Sequence, residues 1–130
     1  MATVMYPEDN YHLDVEQNPD LRDVTSTARL FNFRRPVFMT ADVWADCVDL
    51  RSKDGKSYDE LAVLQRLRHV LFMAASALHG RNEDVEYDFR VYRVPNGAEA
   101  RRQPEPVTLH LMAHKDEHNR PVVTIRFPDE

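Results

Sequence analysis

Polar and apolar residues alternate along the last third of the chain. In Val85–Val94 the residues Val85, Tyr87, Phe89 and Val91 are separated by Glu86, Asp88 and Arg90. Val107, Leu109, Leu111 and Ala113 are separated by Thr108, His110 and Met112, with His114 next, and Val123, Ile125 and Phe127 enclose Thr124 and Arg126. A period of two sends successive side chains to opposite faces of a strand, so the three segments predict an antiparallel sheet with one wet face and one face against helices. Between the first two lies Pro95–Pro106, whose Pro, Asn, Gly and Arg content predicts a loop; Asp116–Asn119 predicts a hairpin turn.

The middle of the chain has a different period. Leu61, Leu64, Leu67, Leu71, Ala74, Ala75 and Leu78 recur at steps of three and four, one stripe of an amphipathic helix. That helix is expected to start at Ser57 or Asp59, after a turn at Lys53–Lys56, and to stop before Gly80. Upstream, Thr25 is placed to cap a short helix over Ser26–Phe31. Val37-Phe38-Met39 is too short an apolar run for a helix and reads as a strand. Thr40 is placed to cap a further helix over Ala41–Asp49, with Asp42 favoured by the dipole in its first turn. Its apolar residues Val43, Trp44, Cys47 and Val48 predict core packing. Helices first and strands second give an α+β fold: an antiparallel sheet of three to four strands with two to three helices packed on one face.

At 130 residues and 42% apolar the chain is long enough for one domain with one core. The expected division is an acidic N-terminal segment, 1–20, followed by a single α+β domain, 21–130. Pro7 and Pro19 break the segment, while Tyr6, Tyr11, Leu13 and Val15 are available to tack it to the body. No stretch reads as a membrane span or a secretory signal, and one cysteine makes no internal disulfide, so the expected setting is a reducing cytoplasm without membrane contact.

Charge changes this picture more than composition does. The formal net charge is −5, from 22 acidic and 17 basic residues. Residues 1–20 contribute Glu8, Asp9, Asp14, Glu16 and Asp20 and no base, which leaves the rest of the chain with as many acids as bases. A second acidic strip, Glu83, Asp84, Glu86 and Asp88, leads into the first alternating strand. Segregated acid of this kind suits contact with a basic partner surface.

Catalytic chemistry finds little support. Three glycines write neither a dinucleotide nor a P-loop fingerprint, and there is no GxSxG elbow. Cys47 sits late in its helix beside Asp46 and Asp49, which oppose a thiolate. His110 and His114 share a face, but four residues of strand separate them by about 13 Å, too far for one metal ion. No catalytic, cofactor-binding or metal-ligating residue is therefore assigned, and the chain is not expected to be an enzyme or to hold a cofactor. The basic clusters Arg34-Arg35 and Arg101-Arg102 offer a second reading, direct DNA binding.

A family resemblance adds a setting. Asp23-Val24-Thr25, Ala28, Phe33, Pro36-Val37, Thr40 and Val43-Trp44-Ala45-Asp46-Cys47-Val48 carry it, with Leu71-Phe72-Met73-Ala74, Pro121-Val122-Val123-Thr124-Ile125 and Pro128-Asp129-Glu130. Over about residues 20–130 the chain is similar to an uncharacterised family of small plasmid- and phage-borne bacterial proteins, a domain of unknown function. The opening 20 residues and the Pro95–Pro106 loop depart from it. The resemblance implies a mobile element in a bacterial host and assigns no residue a role. With the charge pattern, it leads to an expected inhibitor of a host defence or nucleic-acid-handling complex, anti-CRISPR-like. Its expected partner is a host protein or ribonucleoprotein with a basic surface. The alternative is a DNA-binding accessory protein for replication or transfer of the element.

Overall fold

A computed structural model describes residues 20–49, 60–94 and 103–130. In chain order these form β1 (Leu21–Asp23), α1 (Thr25–Ala28, prolonged by a 3-10 turn over Arg29–Phe31) and β2 (Val37–Thr40). Next come α2 (Ala41–Val43, prolonged by a π-helical turn over Trp44–Val48) and α3 (Glu60–Leu78). Three strands close the chain: β3 (Val85–Arg93), β4 (Glu105–Lys115) and β5 (Pro121–Arg126).

The fold is α+β, as expected, but the sheet is larger and mixed. Its order is β1-β2-β5-β4-β3, and β2 runs parallel to β5 while every other neighbour is antiparallel. This corrects the expectation of three to four antiparallel strands. β1 is three residues long and has no period to read; it forms because Leu21 and Asp23 register on Thr40 and Phe38, with the Ala41 N–H donating to the Asp20 carbonyl. The parallel pair arises because β5 inserts beside β2, with the Val123 N–H donating to the Pro36 carbonyl at 2.9 Å. Pairing across some 85 residues of chain is invisible to a period of two within either strand.

Two local expectations also change. Thr25 does not cap α1: Val24 is the capping position, and the Asp23 carboxylate accepts the Thr25 N–H at 2.9 Å. The buried Thr25 hydroxyl instead accepts from the Val37 N–H and donates to the Val37 carbonyl, pinning α1 to β2. Thr40 does cap α2, accepting the Val43 N–H at 3.3 Å. One turn later α2 widens into the π-helical turn, closed by the Asp49 N–H on the Trp44 carbonyl at 2.8 Å. The Lys53–Lys56 turn and the start of α3 at Ser57 or Asp59 lie outside the described residues. α3 ends on left-handed backbone at His79 and Gly80.

Register fixes the core. Met39, Ile125, Leu111 and Tyr87 form one row across the inner face, and Val37, Val123, Ala113 and Val85 form the next. α3 lays Val63, Leu67, Val70, Leu71, Ala74 and Leu78 on these rows. Val63, one turn before Leu67, occupies the place expected of Leu61, which faces solvent. By length and composition α3 passes for a membrane span, but its apolar stripe packs on the sheet. Trp44 is partly buried against the core, with the Arg22 guanidinium 5.2 Å above its ring. The opposite face of the sheet carries a small second cluster, Phe38 and Val122 with Leu21, and a mostly polar remainder that includes Met112 and Tyr92.

Candidate docking surface

β3 is the edge strand of the sheet, and its pairing to β4 runs without a bulge from Val85 opposite Ala113 to Arg93 opposite Glu105. The Tyr92 N–H donates to His69 Nε2 on α3 at 3.3 Å, so it points away from β4. Alternation along the strand turns the backbone N–H and C=O of Glu86, Asp88 and Arg90 the same way. These three residues are exposed, and among the described residues no strand pairs with this side of β3, which leaves an open hydrogen-bonding edge.

Side chains of the same residues project from the outer face. His110 on β4 lies between two acids of β3, with Nε2 2.8 Å from Glu86 and Nδ1 2.8 Å from Asp88. Asp88 and His110 are directly opposed in register, in the non-hydrogen-bonded type of pair that brings side chains closest. The imidazole is largely covered, while the Glu86 and Asp88 side chains remain 65% and 58% exposed. Glu83, just ahead of the strand, is exposed as well. All four acids of this strip are thus exposed.

Asp84, 51% exposed, differs in that two of the fold's own cations engage it. Its carboxylate takes Arg35 Nη1 at 2.8 Å and Lys115 Nζ at 3.4 Å. Arg35 is buried at 9% exposure and also donates to the carbonyls of His114 and Asn82. One acid proposed for partner contact and one base proposed for DNA contact therefore neutralise each other, joining β4 to the turns before β2 and β3. The Arg35 hydrogen bond, aided by Lys115, holds the Asp84 carboxyl below its ordinary value of 3.8. A depressed folded-state value makes this contribution present above the unfolded value and lost as pH falls through the folded one. In urea titrations between about pH 6 and about pH 2, Asp84→Asn is expected to start less stable than the wild type. The gap should close as the medium becomes acid; a gap that stays constant with pH would contradict the linkage.

Other candidates are not brought together. Asp20 adjoins β1 at the far edge of the sheet, four strand spacings or roughly 19 Å from β3. Glu8, Asp9, Asp14 and Glu16 lie outside the described residues, as do Arg101 and Arg102. Arg34 is exposed in the turn before β2. His114 bonds Thr124 on β5 at 2.9 Å. Among the described residues no group of three His, Cys, Asp or Glu side chains is arranged to hold a metal ion.

Sequence reasoning missed the polar node beside the far end of β3. Arg66 on α3 donates to the carbonyls of Asp46, Cys47 and Val94 at 3.0–3.2 Å. Arg93 grips the Asp46 carboxylate with two nitrogens, at 2.8 and 3.2 Å. Burial first, then the Asp46 charge, pushes the Cys47 thiol up to about 12, which removes it as a nucleophile at neutral pH. Above this node opens a groove of about 450 Å³ between α3 and β3, lined by Ala62, Arg66, His69, Val91, Tyr92 and Pro104 among others. A sequence signal for it exists. Ala62, Arg66, His69, Met73 and Ala77 recur at helical steps beside the core stripe, all half-buried. A smaller cleft, about 350 Å³, lies across α3, where Phe72 meets Phe31 edge-on.

Comparison with protein-family models, curated proteins and solved structures finds no match for this chain.

Proposed function

We propose that this chain is a binding protein of a phage or plasmid that docks by its acidic strip on a basic surface of a host protein or ribonucleoprotein. By occupying the place where that complex holds nucleic acid, it blocks a defence or nucleic-acid-handling machine, in the manner of an anti-CRISPR protein. One observation carries the reading: Glu86 and Asp88 stand exposed on a strand that is outermost among the described residues, with Glu83 exposed just ahead of it, and His110 aligns the two strand acids. The mobile-element setting rests on the resemblance carried by Val43-Trp44-Ala45-Asp46-Cys47-Val48 and its companion segments. The DNA-binding alternative is weakened by the ion pair that occupies Arg35.

Pull-down of the tagged protein from a bacterial lysate containing CRISPR–Cas and other defence complexes, with and without nuclease, separates the two readings. A stoichiometric protein partner that survives nuclease supports the inhibitor. Nucleic acid alone, lost on nuclease treatment, supports the DNA-binding accessory. Replacing Glu8, Asp9, Asp14, Glu16 and Asp20 by lysine in the same assay tells whether the N-terminal acids share the contact.

A further inference from the structure

The open edge of β3, from Glu86 to Arg90, runs beside the flank of α3 up to the Tyr92 N–H that His69 takes. We propose that this edge takes an extended segment of the basic partner as an added sixth strand. The inference rests on the docking reading for the sign of the partner's charge, and adds the mode of contact and the pattern of the segment.

Three features specify the guest. First, the N–H and C=O groups of Glu86, Asp88 and Arg90 all point off the sheet, and a guest strand would satisfy them as β4 satisfies the other side. The Tyr92 N–H is already taken by His69, so the new ladder ends there. Second, guest residues opposite Glu86 and Asp88 share the outer face with those carboxylates, and lysine or arginine there forms cross-strand pairs with both. Third, the intervening guest residues turn inward toward the α3 stripe of His69, Met73 and Ala77. Met73 and Ala77 are half-buried and pack against the core, so small apolar side chains suit these positions. The edge thus reads a segment alternating basic and apolar residues.

A second copy of the chain is a poor occupant. α3 packs over β3, as the Tyr87 hydroxyl on the Ala74 carbonyl at 3.0 Å and the His69 contact with Tyr92 record. Pairing two β3 edges would set the two α3 helices about 5 Å apart laterally, where packed helices need about 8–10 Å. A lone strand carries no such helix.

The test uses an end-blocked peptide of four Val-Lys repeats and a second peptide of the same sequence N-methylated at every lysine. The methylated peptide keeps the charge and loses the donors that face β3. In nuclear magnetic resonance titrations of the full chain, the plain peptide is expected to shift the amides of Glu86, Asp88 and Arg90 and the methyl of Met73. The methylated peptide is expected to bind at least about tenfold more weakly. Arg90→Pro deletes only an outward N–H, a change edge strands tolerate, and is expected to weaken the plain peptide similarly while the melting temperature holds. Equal binding of both peptides overturns strand addition and leaves docking by charge intact. No binding of the plain peptide, or shifts confined to surfaces away from β3 and α3, also overturns it. The docking reading is judged separately, by the captured partner.

Discussion

Ile125→Ala is expected to lower the unfolding free energy by about 3–4 kcal/mol and the melting temperature by roughly 10–15 °C. Ile125 is fully buried near the end of the central strand β5, between Met39 on β2 and Leu111 on β4, both also fully buried. Strand neighbours on both sides and helices above leave no route for collapse into the space, so a cavity term adds to the lost transfer energy. The matched control is Leu61→Ala on α3, where a side chain 66% exposed should change stability by no more than about 0.5 kcal/mol. Chemical denaturation of both variants checks the pair. Similar losses would mean that Ile125 is not at the centre of the core.

Arg66→Met is expected to cost about 2–3 kcal/mol, although the methionine keeps much of the apolar stem. The π-helical turn of α2 ends where Asp49 becomes extended, so the carbonyls of Asp46 and Cys47 lack the amides a continuing helix would supply. Arg66 supplies those donors and ties the Val94 carbonyl at the end of β3 into the same fork. Methionine leaves three acceptors without this donor and Asp46 with Arg93 as its remaining guanidinium. Arg66→Lys should recover only part of the loss, because an ammonium does not reproduce a planar fork aimed at three divergent carbonyls. Hydrogen exchange of the residues that close the turn provides a local readout: protection of Val48 and Asp49 should fall before that of β4. Uniform loss of protection would contradict a local role.

The extent to which the sequence announced this molecule follows from the range of the interactions involved. α3, β3, β4 and β5 were legible because a period of 3.6 or 2 is local, and each buried face follows from it. β1 was not, since Leu21–Asp23 becomes a strand only through its register with β2. Sequence proximity points the Thr25 hydroxyl at the nearest amides, yet it serves Val37, twelve residues away. The same distinction governs the surface. Glu83, Glu86 and Asp88 were visible as an acidic strip, and the strand period put Glu86 and Asp88 on the wet face. Asp84 and Arg35 looked like free charges because nothing local links residues 49 positions apart. The open edge of β3 was hidden altogether, for strand order decides which strand lies outermost.

The measurement that bears most directly on docking through the acidic strip is a calorimetric titration of the captured partner. It compares the wild type with the Glu83→Lys/Glu86→Lys/Asp88→Lys variant, after circular dichroism has shown both to be folded. Three reversed charges against a basic surface are expected to weaken binding at least about 100-fold, with a shallower dependence on salt. An affinity equal to that of the wild type would contradict docking through β3.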